Sequence, residues 1–521
     1  MKKILAFIIG ASFLFSSCQD WLEVGSETEL TEENVFSDES GFHKALTGVY
    51  IGMGDESLYG GMLTWRMLDY FAHYYYNVSG SKDTRFHTHT YNDAYVKGHI
   101  KNVWDGLYNL IANCNNTLEH LEVNKDIVHP LSYSLIKGEL LTLRAFLHFD
   151  LLRMFGHGNY ANRVGELSNT LTIPYVTTFS KEIPAQCTYA EIFTLLKKDL
   201  NEAIKLMWGE NGENCIRAHM NLSEDEFDFT RFEEANGDDS YFFTYYNYYE
   251  KPRIDYYVAR AILARVMMWE GAAENYDEIL KITEEWTLAE TDSNPDAWDW
   301  TRAALLTTSE LNRDRIFANE AIWILGVQNL YDKTMEDNNS WFLNSTQYQK
   351  CVLSKTVAND IYEYETGNNT GASDWRRAYL LNANGNYFEP LKLDQVRNEK
   401  NYRYKDRIPL CGTAELYYYS AEVSLKKGSK ADACAYLNKV RRARGITDDL
   451  VAEDLTEEEV MAEIQKEARK EFLCLGQMFY FYKRLGVTSI PNFTTTEMTD
   501  DLYMLPYPDD EIITGNRVQK Y

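Results

Sequence analysis

The stretch TAELYYYSAEVSLKKGSKADACAYLNKVRRAR, from Thr413 to Arg444, reads as helix, turn, helix, with the turn at Gly428. Ala421 and Ala433 lie twelve apart, and Leu437 and Val440 follow. Small residues at that spacing let two antiparallel helices approach closely. Thr456 then stands as an N-cap with Glu459 at the capping-box position, which predicts a helix from about Glu457 to Arg484. The same 3.6-residue period recurs toward the N-terminus. Leu140, Leu143, Leu147, Leu151 and Met154 form one stripe, ended by Gly156. Trp104, Leu107, Tyr108, Ile111, Asn115 and Leu118 form another. Thr188 and Glu191 make a second capping box ahead of Ile192, Leu195, Leu196, Leu200 and Ile204. Residues 253–270 and 272–285 form a helix pair broken by Gly271.

The expected fold is therefore mainly α. Degenerate helix pairs of tetratricopeptide type form an α–α superhelix beside a large irregular, loop-rich half. No strict 34-residue period runs through the chain. The repeat helices are placed roughly at 99–156, 188–207, 253–285 and 413–486. Loop-rich segments are placed roughly at 55–98, 208–250 and 286–412, with shorter irregular stretches at 155–187 and 487–521. Loops of this length are uncommon unless functional. Residues 222–239 are strongly acidic and read as a solvated loop, and Tyr241–Tyr249 is dense in aromatic rings.

The chain has 521 residues and a net charge of −27. That disfavours a nucleic-acid partner, because phosphate contacts need clustered cations. It also disfavours electrostatic attachment to anionic lipid. Nothing in the sequence is long and apolar enough to span a membrane as a helix. The 38 Tyr, 24 Phe and 11 Trp supply wide, rigid, amphipathic surface. Lys2 and Lys3 precede an apolar run from Ile4 to Phe15, and Phe15-Ser16-Ser17-Cys18 looks like a lipobox. On this reading residues 1–17 are a lipoprotein signal peptide, and Cys18 is acylated and becomes the first mature residue. Several acyl chains then give stable anchoring. Cys114, Cys187, Cys215, Cys351, Cys411, Cys434 and Cys474 are odd in number, scattered and without CxxC. They read as buried free thiols, with a single bridge left open.

Several blocks resemble the SusD/RagB family of Bacteroidetes surface lipoproteins. Cys18-Gln-Asp-Trp-Leu22 is similar to its mature start, and Thr31-Glu-Glu-Asn-Val-Phe36 with Ala45-Leu-Thr-Gly-Val-Tyr50 to its first block. Trp104 through Asn113 to Leu118, Gly138-Glu139…Arg144…Asp150…Arg153-Met-Phe-Gly156 and Ala414-Glu415…Arg441…Arg444-Gly445 follow in family order. Glu467…Arg469-Lys-Glu-Phe472…Arg484-Leu-Gly486 resembles a further block, with Arg469 displaced by one place. Pro506-Tyr-Pro508…Glu511-Ile512 resembles the closing segment. The resemblance implies one SusD-like domain over 18–521, on the outer face of the outer membrane. It implies a non-catalytic, glycan-binding lid and capture subunit on a SusC-like TonB-dependent β-barrel transporter. The repeat half would face the barrel and the loop-rich half the ligand. Peptide capture by a similar importer is the alternative. Arg144, Asp150, Arg153, Glu415, Glu422, Arg441 and Arg444 read as helix-packing ion pairs rather than ligand contacts.

Motif inspection finds no G-x-S-x-G, H-E-x-x-H, P-loop or G-x-G-x-x-G, so no catalytic residue, cofactor or metal site is nominated. His87 and His89 are two apart, but a metal needs a further ligand. Asp292, Asp296 and Asp299 lack EF-hand spacing, and Pro295 interrupts them. A sugar ring lays its apolar C–H face on an aromatic ring, while amides, carboxylates or Arg meet its hydroxyls. Such rings belong on loops held by a rigid scaffold. Three loops supply them: Tyr74–Tyr76 with Arg85, His87, Tyr91 and Tyr95; Trp286, Trp298 and Trp300; and Trp341, Phe342, Tyr348 and Trp375. Trp298 and Trp300 are the preferred platform, Tyr75 with Arg85 the second, and Tyr91 and Trp341 complete the candidate glycan-binding set. Trp323, between Ile322 and Ile324, reads as core.

Overall fold

The apolar stripes can be hidden from water only against one another, and the helices do this by stacking in chain order. The computed structural model describes residues 32–76, 82–209, 253–288, 299–336, 339–342, 350–365, 369–395, 399–493 and 497–519. Its principal helices are α1 (Glu39–Met53), α2 (Ala94–Val123), α3 (Pro130–Phe155), α4 (Tyr189–Trp208), α5 (Tyr256–Glu270), α6 (Tyr276–Leu288), α7 (Thr413–Lys426), α8 (Lys430–Ala443), α9 (Glu457–Glu471) and α10 (Gln477–Leu485). Each of α1 to α8 packs on the next, and α9 also packs on α7. This is the mainly helical stack of tetratricopeptide-type pairs expected from the sequence.

The local signals act as read. Thr188 with Glu191 and Thr456 with Glu459 both form reciprocal capping boxes. Gly271 (φ +70°) and Gly428 (φ +84°) take the left-handed conformation that turns the chain within a pair. Ala421 and Ala433 are fully buried where α7 meets α8.

Two expectations need correction. The helix placed at Glu457–Arg484 is two helices. The chain breaks between α9 and α10, with Cys474 (φ +66°) and Gly476 (φ +68°) left-handed. The cause comes from the other half of the molecule. Asp69, fully buried, accepts the backbone N–H of Cys474 (2.7 Å) and of Gly476 (3.0 Å). Tyr75 donates its hydroxyl to the same carboxylate (3.1 Å). Burial pushes the Asp69 carboxyl up to about 7, against these three bonds. Asp69→Ala would orphan buried donors, each worth about 1–3 kcal/mol. We expect a loss of about 2 kcal/mol in urea unfolding; a loss below about 0.5 kcal/mol would mean that the break holds without its anchor.

The second correction concerns the loop-rich half, whose irregular segments are densely packed rather than open. Leu58, Trp65, Leu68, Phe71, Tyr74 and Tyr75 all lie in the core. The short strands include β1 (Leu171–Pro174), β2 (Gln186–Thr188), β3 (Ala321–Gly326), β4 (Leu353–Ser354), β5 (Leu381–Asn384), β6 (Tyr387–Pro390) and β7 (Arg407–Gly412). β3 pairs antiparallel with β7, and Trp323 sets its ring edge-on to Phe146 of α3, 5.0 Å away. The acidic and tyrosine-rich stretches within 210–250 lie outside the described residues.

Buried charge joins the two halves. On the helices, Arg144 pairs with Asp199, Arg153 with Asp150, Arg265 with Glu415 and Arg484 with Glu422. The expected helix-packing ion pairs are thus present. A larger network links Arg376 to Asp374, Glu467 and Glu471, Arg441 to Glu467, and Arg444 to Glu320 and Glu471. Burial alone would raise these carboxyls, but the neighbouring cations overrule it. Arg484 holds Glu422 down to about 2, Arg444 and Arg376 do the same for Glu471, and Glu467 is depressed further. Such a group stabilises the fold above its unfolded pKa and loses that contribution as pH falls through the folded one. Stability should therefore fall steeply between about pH 4.5 and 2. Thermal unfolding across that range checks it; a flat profile would mean that these pairs contribute nothing.

Cys114, Cys351, Cys411, Cys434 and Cys474 are buried free thiols, and Cys187 is a half-buried one. Among the described residues no helix is long and apolar enough to cross a membrane.

Candidate functional site

The candidate site stands on a small antiparallel sheet in the order β4–β6–β5. Gly385 (φ +61°) and Asn386 make a two-residue turn between β5 and β6, with glycine at the first turn position, where a positive φ is needed. Register then decides which side chains share a face. Asn382 lies opposite Glu389, and Asn384 opposite Tyr387. Residues two apart on one strand, and residues paired across strands, point to the same side. One face of the hairpin therefore carries Tyr387, Asn384, Asn382 and Glu389 together.

Glu389 is buried beneath the two exposed amides. It accepts Asn382 Nδ2 and Asn384 Nδ2, each at 2.7 Å, and so fixes both side chains. Tyr76, 39% exposed, meets the half-buried Tyr387 edge to face with centroids 5.1 Å apart. The Tyr76 N–H donates to Val352 O (2.7 Å), which ties its backbone to the chain just ahead of β4. Behind the hairpin, Phe388 is buried, and the Arg377 guanidinium lies 3.3 Å from the centre of the Tyr364 ring. The result is a surface with two aromatic rings beside two oriented amides. That chemistry suits a ligand with an apolar face and many hydroxyls.

The residues nominated from sequence are distributed differently. Trp298 lies outside the described residues, as do Cys18, Tyr348, Asp292 and Asp296. Trp300 is half-buried, edge-on to Tyr417 (5.3 Å) and 5.5 Å from the Arg444 guanidinium. Tyr75 is not an exposed platform, because its hydroxyl is held inside by Asp69 and by the Trp65 carbonyl. Arg85 turns away from it onto Asp93 (3.1 Å) and the Tyr95 ring. Tyr91 is half-buried, with its hydroxyl on the Leu502 carbonyl. Trp341 is corrected from loop to core, with the Arg66 guanidinium 4.2 Å and Lys350 Nζ 3.7 Å from its ring centre. Trp286 is likewise core and donates Nε1 to Thr413 Oγ1 (2.8 Å). These rings are inward because they fill the hydrophobic core that the irregular segments share with the helices.

His89 and His73 place their Nε2 atoms 3.2 Å apart, while His87 Nε2 meets Tyr75 O (3.0 Å). Burial lowers His73 to about 2 and His89 to about 3, so both are neutral. Among the described residues no group of three or more His, Cys, Asp or Glu could hold a metal ion. Asp299 pairs with Arg302. Among the described residues, one cavity of about 40 Å³ and another of about 20 Å³ are each far below the ~300 Å³ at which small-molecule pockets begin.

Sequence reasoning passed over Tyr387 and the two asparagines. The Gly385-Asn386 pair, a two-residue hairpin signal, was available.

Comparison with known proteins bears on the whole architecture. Residues 20–223 match the SusD-like family model described as starch-binding associating with outer membrane, and residues 328–489 match the model of the SusD family. A SusD superfamily protein from Bacteroides vulgatus is 17% identical, with a TM-score of 0.64 over 92% of this chain and 97% of that one. A SusD-like carbohydrate binding protein from the same organism is 18% identical, with a TM-score of 0.61 over 92% and 97%. Surface glycan-binding protein A from Bacteroides thetaiotaomicron, solved in complex with laminarihexaose, is 16% identical, with a TM-score of 0.61 over 93% and 99%. No curated protein matches the chain. At these identities the likeness to solved structures is one of fold. The two matched models, in the same order as the motif blocks and on the same helical stack, make this chain a member of the SusD family.

Proposed function

We propose that this protein is a non-catalytic, glycan-binding surface lipoprotein that captures oligosaccharide for a SusC-like TonB-dependent transporter and acts as its lid. The observation that carries the binding reading is the β5–β6 face, where Tyr76 and Tyr387 stand beside two amides fixed by Glu389. Family membership supports a carbohydrate rather than another polyhydroxylated ligand. The lipobox at Cys18 supports attachment to a membrane through acyl chains.

A panel of plant, host and microbial glycans, with oligopeptides alongside, tests this on the soluble chain starting after Cys18. Affinity electrophoresis followed by calorimetry gives specificity and strength. Binding of one glycan class is expected; binding of peptides alone would overturn the reading in favour of a peptide importer. Reducing ends released from a bound glycan would overturn its non-catalytic part. The anchor has its own test. Cys18→Ser in the full chain is expected to abolish acylation and move the protein from the membrane to the soluble fraction. Retention on the membrane would refute the lipid anchor.

A further inference from the structure

A cavity of about 20 Å³ lies inside the repeat half, where α3, α5, α7 and α10 meet. A single water needs about 10–15 Å³, so the space admits one small species. Its wall includes Arg153, Arg265, Arg484, Glu415, Trp269 and Tyr480. Arg265 Nη1, Trp269 Nε1 and Tyr480 Oη have no hydrogen-bond partner among the described residues. Their side chains are only 2–3% exposed, so bulk water does not compensate them. Buried donors are seldom left unmatched, and three on one small cavity call for an acceptor.

Donor chemistry selects which acceptor. Three guanidiniums and one carboxylate line the wall. The partners of two of them, Asp150 for Arg153 and Glu422 for Arg484, are not part of it. Glu415 is itself engaged by Arg265 through both oxygens and by the Tyr419 hydroxyl. Arginine and indole nitrogens can only donate, so they suit an ion that only accepts. Each of the three guanidiniums is already matched by its own carboxylate, so what is left toward the cavity is a set of unmatched donors with room for one sphere. We propose that this cavity binds a single small monoanion, a halide such as chloride, which becomes an internal tie between the repeat helices. The site is separate from the glycan-binding surface and does not rest on it.

Crystals of the mature soluble chain grown in sodium bromide, measured at the bromine edge, test it directly. We expect an anomalous peak within hydrogen-bond distance of Arg265, Trp269 and Tyr480. In solution, the midpoint of thermal unfolding should rise with chloride or bromide over gluconate at fixed ionic strength, since a ligand bound only to the folded state stabilises it. Trp269→Phe and Tyr480→Phe each remove one donor and keep the Arg265–Glu415 pair. Each should weaken the apparent halide affinity roughly tenfold or more. A cavity without an anomalous peak, or one holding a water instead, overturns the proposal. So does a halide response unchanged in both variants.

Discussion

Arg444→Met is expected to lower the unfolding free energy by about 3–5 kcal/mol, the usual cost of removing one partner from a buried ion pair. Arg444 is 1% exposed and serves two carboxylates at once. Its Nη1 and Nη2 meet Glu320 at 3.0 and 2.8 Å, and its Nε and Nη2 meet Glu471 at 3.0 and 2.9 Å. Glu320 comes from the irregular half, just ahead of β3, and Glu471 ends α9. The guanidinium is therefore a bolt between the halves. Methionine fills much of the volume but leaves Glu320 buried with its charge uncompensated. Glu471 keeps Arg376 (3.1 Å), so the damage should fall mostly on Glu320. Adding Glu320→Leu to Arg444→Met should then restore part of the loss, a coupling that a double-mutant cycle reads directly. Urea unfolding of the soluble chain measures both. A loss below about 1 kcal/mol would mean that solvent reaches this network.

Tyr387→Ala should weaken glycan binding by roughly 30-fold, about 2 kcal/mol, the size expected when a central aromatic contact is truncated. Tyr76→Ala should act in the same direction. The pair should be non-additive, because each ring sets the angle of the other at 5.1 Å. Tyr387→Phe keeps the ring and should cost far less than the alanine. Asn382→Ala and Asn384→Ala free a buried carboxylate, so their effects mix stability with recognition and are less decisive. Phe179→Ala is the control. Phe179 is 51% exposed, on the segment between β1 and β2, and should leave affinity unchanged. Full affinity in both tyrosine variants would move the site off this face. Trp300, still partly exposed, would be the next ring to remove.

How legible all this was depended on the range of the interactions involved. Thr188 and Glu191 cap α4 through bonds spanning three residues, and Gly428 turns the chain where it stands. Such effects are local, so the sequence declares them. The apolar stripes of α2 and α3 are equally plain, because burying one face of a helix imposes a 3.6-residue period. Ion pairs could be inferred in kind, since charged residues on buried stripes require partners, but not in partner. Arg444 reaches Glu320 across 124 positions.

The sequence by itself determined the helical stack, its caps and turns, and, through ordered motif blocks, the family. Tertiary structure alone decided which aromatic rings face outward. Tyr75 and Tyr76 are neighbours of one residue type, yet Tyr75 is fixed inside by Asp69 while Tyr76 lies against Tyr387 at the surface. The break at Cys474–Gly476 was settled in the same way, by a carboxylate about 400 residues earlier in the chain. Burial depends on what the rest of the fold brings alongside a residue, and a run of tyrosines has no period to reveal it.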